Sequence, residues 1–193
     1  NVSKNYYKKN SIKVLKKINL VFEKGKIYSI TGPSGSGKST LLNLISLIDE
    51  PTSGSIKIDE TIIKYDKKTI NDKIRAKKIG IVYQDKNLLS DFTALENVYL
   101  ARLAFKNNLY EAKQDSKKII NTLGLANRIN HYPSELSGGE AQRIAISRAL
   151  INSPEIILAD EPTGSLDTEN AKEVFKILLN LKSKNRTIIF ATH

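Results

Sequence analysis

The chain has 193 residues and a net charge of +11, with 40% hydrophobic residues, 26% charged residues and no cysteine. That balance fits one sizeable folded core, and the lack of cysteine excludes disulfides and thiolate metal sites. The longest stretch without a charge is the 11 residues from Ile27 to Gly37, short of the ~20 apolar residues that span a bilayer as a helix.

In chain order, Val14–Val21 alternates loosely and Lys26–Thr31 is β-rich, so both read as strands. Ser39–Ile48 is apolar and free of glycine, which predicts a helix; a turn at 51–54 and a strand at Gly54–Ile58 follow. Lys64–Lys78 carries seven positive charges with Asp66 and Asp72 among them and only Tyr65 as an aromatic. With 25 Lys against 6 Arg in the whole chain, this stretch reads as a solvated face, since specific readers of nucleic acid lean on Arg. Weak attraction to acidic lipid headgroups is the intermediate reading, and no specific nucleic acid is expected.

Ile79–Tyr83 is a further strand. Helical periodicity then runs through Thr93–Phe105, Tyr110–Leu123 and Gly139–Leu150. Strands return at Glu155–Ala159 and Thr187–Ala191, flanking a helix over Thr168–Leu181. The pattern is an α/β core interrupted by a helical insertion of roughly 65 residues.

Gly32-Pro33-Ser34-Gly35-Ser36-Gly37-Lys38-Ser39 fits G-x-x-x-x-G-K-[ST] between a predicted strand and a predicted helix. Backbone N–H groups uncrowded at the glycines can curl around a phosphate, and the helix N-terminus adds partial positive charge. Lys38 is placed for the β- and γ-phosphates and Ser39 for Mg²⁺. The run 155–162 is a buried-looking strand ending in Asp160-Glu161. Asp160 is placed for Mg²⁺. Glu161, directed elsewhere by strand alternation, is placed to take a proton from, or to orient, the water attacking the γ-phosphate. Leu136-Ser137-Gly138-Gly139-Glu140 opens a helix. It reads both as a capping box, Ser137 with Glu140, and as a second anion-binding N-terminus, and the two are compatible.

Together these motifs, with Gln84 after a strand, Ser165-Leu166-Asp167 and terminal His193, resemble an ATP-binding-cassette ATPase over essentially the whole chain. The resemblance implies a P-loop NTPase fold of the cassette type. Its RecA-like core, 1–87 and 152–193, would carry N-terminal antiparallel strands, and 88–151 would form an inserted α-helical subdomain. It implies ATP as ligand, contacted by residues 32–40 including Thr40, and Mg²⁺ held by Ser39, Gln84 and Asp160. It also implies a head-to-tail dimer in which Ser137, Gly138, Gly139 and Glu140 face the nucleotide of the second ATPase subunit. Gln84 is then expected to touch Mg²⁺ and the attacking water, Asp167 to lie in the crossing loop, and His193 to contact the γ-phosphate. Tyr6 resembles the aromatic that stacks on adenine, with Tyr7 as the competitor.

Within that superfamily, residues 84–98, 133–140 and 158–167 look like the ATPase subunit of lipoprotein-releasing (Lol-type) transporters, in a group that includes macrolide and peptide exporters. Ser90 and Lys86-Asn87 depart from residues frequent in such relatives, and Glu140 stands where the widest signature has Gln, though Glu is common in this branch; these changes touch the subfamily and not the ATP chemistry. The resemblance implies transmembrane permease subunits as partners and a peripheral place on the cytoplasmic face of the inner membrane. A chromosome-organising cassette is disfavoured because Gln84 and Ser137 are only 53 positions apart, with no room for a long coiled coil. A regulator of a cell-wall hydrolase is the other reading the residues permit. The chain is expected to begin inside its first strand and to stop short of the end of its relatives.

Overall fold

A computed structural model describes residues 1–7 and 11–192, apart from the side chains of Tyr7 and Ser11. An antiparallel pair, β1 (Val2–Tyr7) with β2 (Ser11–Ile18), stands beside the main sheet. That sheet contains β3 (Ile27–Thr31), β6 (Ile79–Val82), β7 (Ile156–Asp160) and β8 (Thr187–Thr192) in the order β3-β8-β7-β6, all parallel. Between β3 and β6 lie α1 (Lys38–Ile45), the short pair β4 (Lys57–Ile58) and β5 (Thr61–Ile62), and α2 (Lys68–Lys78). Between β6 and β7 come α3 (Ala94–Leu103), α4 (Leu109–Thr122) and α5 (Gly138–Leu150); α6 (Thr168–Asn180) joins β7 to β8.

The two central strands read as near-continuous apolar runs because both of their faces are covered. Ile157, Ala159, Ile188 and Phe190 pack with Ile146 and Leu150 of α5 and with Val174 and Leu178 of α6. The alternate residues Leu158, Ile189 and Ala191 pack on the opposite face with Leu42 of α1 and with Ile58 and Ile63. A third apolar cluster, Ala94, Val98, Ile120, Leu125, Ile144 and Ile151, holds the inserted helices together. Helix α5 thus contributes to the main core and to the helical insertion at once.

The expected elements are present with shifted ends. The strand read at Val14–Val21 ends at Ile18, and the one read at Gly54–Ile58 shrinks to Lys57–Ile58. The basic stretch read as a solvated face contains a helix, α2. Its side chains are largely exposed, while Arg75 donates to the Leu47 carbonyl at 3.0 Å and Lys78 pairs with Asp59.

Candidate functional site

The carboxyl ends of three parallel strands converge on one edge: Thr31 of β3 pairs with Thr192 of β8, and Asp160 of β7 with Ala191 of β8. From that edge the loop 32–37 leads into α1. Gly35 and Gly37 have φ of +76° and +95°, conformations in which an L side chain is strained. A Cβ at Gly37 would also lie 3.0 Å from Leu15 and 3.1 Å from Val14 of β2, whereas one at Gly35 would meet nothing within 4 Å. One glycine therefore lets the loop pack beneath, and the other leaves its outer side open. Helix α1 has no side-chain cap and no acidic residue in its first turn, so its positive N-terminal end is not neutralised from within the helix.

Lys38 opens α1 but is only 7% exposed. Its ammonium donates to the carbonyls of Gly32 at 2.8 Å and Pro33 at 3.2 Å, and stands 3.8 Å from Oε1 of Glu161. The Ser34, Ser36 and Ser39 side chains lie on the exposed side of the loop, with Thr40 half-buried behind them.

Strand alternation does not account for the direction of Glu161. β7 ends at Asp160, and Glu161 takes φ +45°, leaving the strand through a left-handed residue while its N–H donates to the Ala191 carbonyl at 3.0 Å. Gln84 follows β6 by two residues, and its amide rests on Gly164, where an added Cβ would lie 3.0 Å from Nε2. Ser165 Oγ donates to the Gln84 carbonyl at 3.3 Å and accepts from Lys86 Nζ at 2.7 Å. Gln84, the loop 163–167 and Glu161 therefore stand together next to the phosphate loop.

Tyr6 on β1 reaches the same side of the molecule. Its hydroxyl donates to Asp49 at 2.8 Å, and the ammonium of Lys4 lies 4.8 Å from its ring centre and 2.6 Å from Asp49. Burial raises the Tyr6 hydroxyl pKa, reinforced by Asp49; Thr40 acts against it through a side-chain hydrogen bond. Burial alone would raise Asp49, but hydrogen bonds from Lys4 and Tyr6 hold its carboxyl below the ordinary range. Lys4 and Asp49 have no motif in sequence, and only their meeting across the fold ties Tyr6 to the end of α1. The side chain of Tyr7 and all of His193 lie outside the described residues.

Ser137, Gly138 and Gly139 lie elsewhere, at the N-terminus of α5. The capping box is formed: Glu140 N–H donates to Ser137 Oγ at 3.2 Å, and Ser137 N–H to Glu140 Oε2 at 2.8 Å. Arg128 donates to Glu140 Oε1 at 2.7 Å, and Arg128 together with the Ser137 N–H lowers the Glu140 pKa to about 2. The Glu140 carboxylate is thus bound within its own chain. Gly139 is buried against α6, where a Cβ would come 2.1 Å from Asn170 Oδ1. Asn170 in turn donates to Asp167 at 2.6 Å, and Asp167 caps α6 by accepting from the N–H groups of Glu169 and Asn170. Among the described residues, no hydrogen bond or ion pair joins 137–139 to the loop 32–39.

The oxygen-bearing side chains of Ser39, Asp160 and Gln84 suit a hard cation. Among the described residues no group of three or more His, Cys, Asp or Glu could by itself hold a metal. A cation that keeps water and phosphate oxygens as most of its ligands, as Mg²⁺ does, fits such a sparse donor set.

Comparison with known proteins gives a consistent result. The family described as ABC transporter matches residues 15–164. A curated protein of Rickettsia bellii named "Lipoprotein-releasing system ATP-binding protein LolD" is 48% identical over all of this chain and 86% of its own length. Its namesake in Buchnera aphidicola is 45% identical over 100% of this chain and 85% of its own. Among solved structures, the post-hydrolysis dimer of the ATP-binding cassette MJ0796 bound to ADP and Pi superimposes with a TM-score of 0.88. It is 40% identical, and the match covers all of this chain and 86% of that one.

Proposed function

The chain belongs to the ABC transporter family as an ATP-binding, ATP-hydrolysing cassette, and from that premise we propose that it powers the release of lipoproteins from a membrane by closing as a dimer on two ATP molecules. The names of the relatives quoted above support the lipoprotein assignment. In this reading the catalytic core spans 1–87 and 152–193, and 88–151 is the helical subdomain that carries Ser137. The partners are a second copy of the cassette and transmembrane subunits with which it associates peripherally. No described helix is long and apolar enough to cross a membrane itself.

The observation that carries the chemical reading is the approach of Lys38 Nζ to Glu161 at 3.8 Å, beside the loop whose outer side is open at Gly35. Lys38 gives up its bonds to the Gly32 and Pro33 carbonyls and takes the β- and γ-phosphate oxygens instead, a stronger, charge-assisted pairing. N–H groups at the start of α1 surround the β-phosphate. Mg²⁺, held by Ser39, Asp160 and Gln84, would supply neutralisation of charge on the phosphate oxygens. Glu161 accepts the proton of the water that attacks the γ-phosphorus, and the bond to the ADP oxygen breaks. Gln84 orients that water, and Tyr6 stacks on adenine. Ser137, Gly138 and Gly139 of the opposite subunit close over the γ-phosphate; Glu140 supports them as their cap, and Asp167 lies in the crossing loop. His193 completes the γ-phosphate contacts.

Glu161→Gln separates binding from chemistry, because amide and carboxylate are nearly isosteric while the proton acceptor, worth about 10²–10⁴-fold in rate, is lost. The expected result is an ATP-dependent dimer in size-exclusion light scattering with almost no turnover. Normal hydrolysis by this variant would move the base to another residue.

A further inference from the structure

One buried side chain of α5, Gln142, and one half-buried one, Arg148, are not explained by packing alone. Gln142 is 0% exposed, and its Nε2 donates to the Tyr83 carbonyl at 3.1 Å. Arg148 donates from Nη1 to the Asn87 carbonyl at 2.5 Å and from Nη2 to the Lys86 carbonyl at 2.6 Å. These three bonds grip the backbone on both sides of Gln84. The gripped segment is also strained: Lys86 and Asn87 have φ of +59° and +49°, consecutive left-handed residues without glycine. A planar guanidinium with a fork of donors suits two adjacent carbonyls better than an ammonium would. The N-terminus of the same helix carries Ser137, and the helix is fixed in both the main core and the insertion.

We infer that Gln142 and Arg148 are positioning residues for Gln84, and that α5 acts as a strut carrying movement of Ser137 at one end to the loop 83–87 gripped along its length. Ser137 and Arg148 are eleven residues apart, roughly 16 Å along a helix, and no flexible joint lies between them because α5 is continuous. Closure of the Ser137 end on a nucleotide therefore shifts the backbone on which Gln84 sits. The Ser165 bond to the Gln84 carbonyl brings the loop 163–167 into the same assembly. This inference rests on the role given above to Gln84.

A double-mutant cycle on the full-length chain tests it, with kcat and KM for ATP measured for wild type, Gln84→Ala, Arg148→Met and the double variant. Arg148→Met should lower kcat roughly tenfold through misplacement of Gln84 and leave KM within about twofold, because the phosphate loop is untouched. In the Gln84→Ala background the same change should cost nothing further, whereas a merely structural role gives additive losses. Additive losses, or a wild-type kcat for Arg148→Met, overturn the inference while the role of Gln84 stands. An unchanged kcat for Gln84→Ala overturns that role, and the clamp falls with it. If Arg148→Met does not fold, Gln142→Leu carries the same cycle. It removes the donor to Tyr83 together with an Oε1 that is buried without a partner, so its melting temperature should stay near wild type while kcat falls. A kcat that stays at the wild-type value is the overturning result there.

Discussion

Two helix N-termini serve this molecule and are built in opposite ways. At α1 the N-cap is Gly37 at φ +95°, with no side-chain cap and no acid in the first turn. At α5 the N-cap is Ser137, closed reciprocally with Glu140, which also pairs with Arg128. An uncapped end keeps its first N–H groups for a ligand and needs a buried lysine to bring in the countercharge. A capped end is rigid before any ligand arrives, and it offers only the N–H groups that the box does not use, those of Gly138 and Gly139, with the Ser137 hydroxyl. The first suits an end that wraps phosphate, and the second an end that docks against phosphate already bound.

The largest effect that sharpens this contrast comes from Lys38→Ala. The backbone donors of the loop remain, but a charged hydrogen bond worth about 1.5–3 kcal/mol or more is lost. ATP affinity by calorimetry should fall by at least an order of magnitude, and unchanged affinity would remove α1 from the phosphate site. Gly37→Ala comes next. A left-handed L residue costs about 1–2 kcal/mol, and its Cβ would press on Leu15 at 3.0 Å. Thermal stability and ATP affinity should therefore fall together. Gly138→Ala at the other N-terminus meets only Leu166, at an ordinary 3.4 Å, and should melt close to wild type. Ser137→Ala should cost more than Gly138→Ala and less than Gly37→Ala, because it removes a cap worth about 0.5–2 kcal/mol; melting should drop by a few degrees with ATP affinity of the isolated subunit unchanged.

The smallest effect is a pH dependence. Glu140 titrates at about 2 instead of the ordinary 4.5. Its depressed value means that its contribution to stability is complete above the ordinary carboxylate range and fades as pH falls towards 2. Glu140→Gln keeps a capping side chain but has no charge to lose. The difference in melting temperature between wild type and variant should narrow between about pH 5 and about pH 2. A difference that stays constant across that window would mean the Glu140 charge adds nothing to the α5 cap.

Legibility in the sequence followed the range of the interactions. The loop 32–39, the cap at 137–140 and the strand ending at Asp160 are written in consecutive residues, so the expectations placed on them needed no knowledge of the fold. Helix α2 escaped because its buried residue is Asn71, its first turn has no side-chain cap, and Ile70 and Ile74 are the whole of its apolar spacing. The turn of Glu161 out of β7 is set by a positive φ where no glycine announces it. The grip of Gln142 and Arg148 on the backbone of Tyr83, Lys86 and Asn87 spans about sixty residues of sequence, 59 to 62 by separation. No local pattern encodes it.

The central claim is that the two N-termini meet across a dimer, α1 of one chain with α5 of the other. Mixing a Ser137→Arg chain with a Lys38→Ala chain tests it directly. Each parent is defective at both of its sites. A mixed dimer built across the interface contains one doubly broken site and one in which the sound phosphate loop of the first chain meets the sound Ser137 end of the second. Crosslinked ATP per dimer, measured with the hydrolysis rate, should rise above both parents in the mixture. If the mixed dimers retain ATP no better than either parent alone, Ser137 does not reach the partner's nucleotide, and the account of the two helix ends is contradicted.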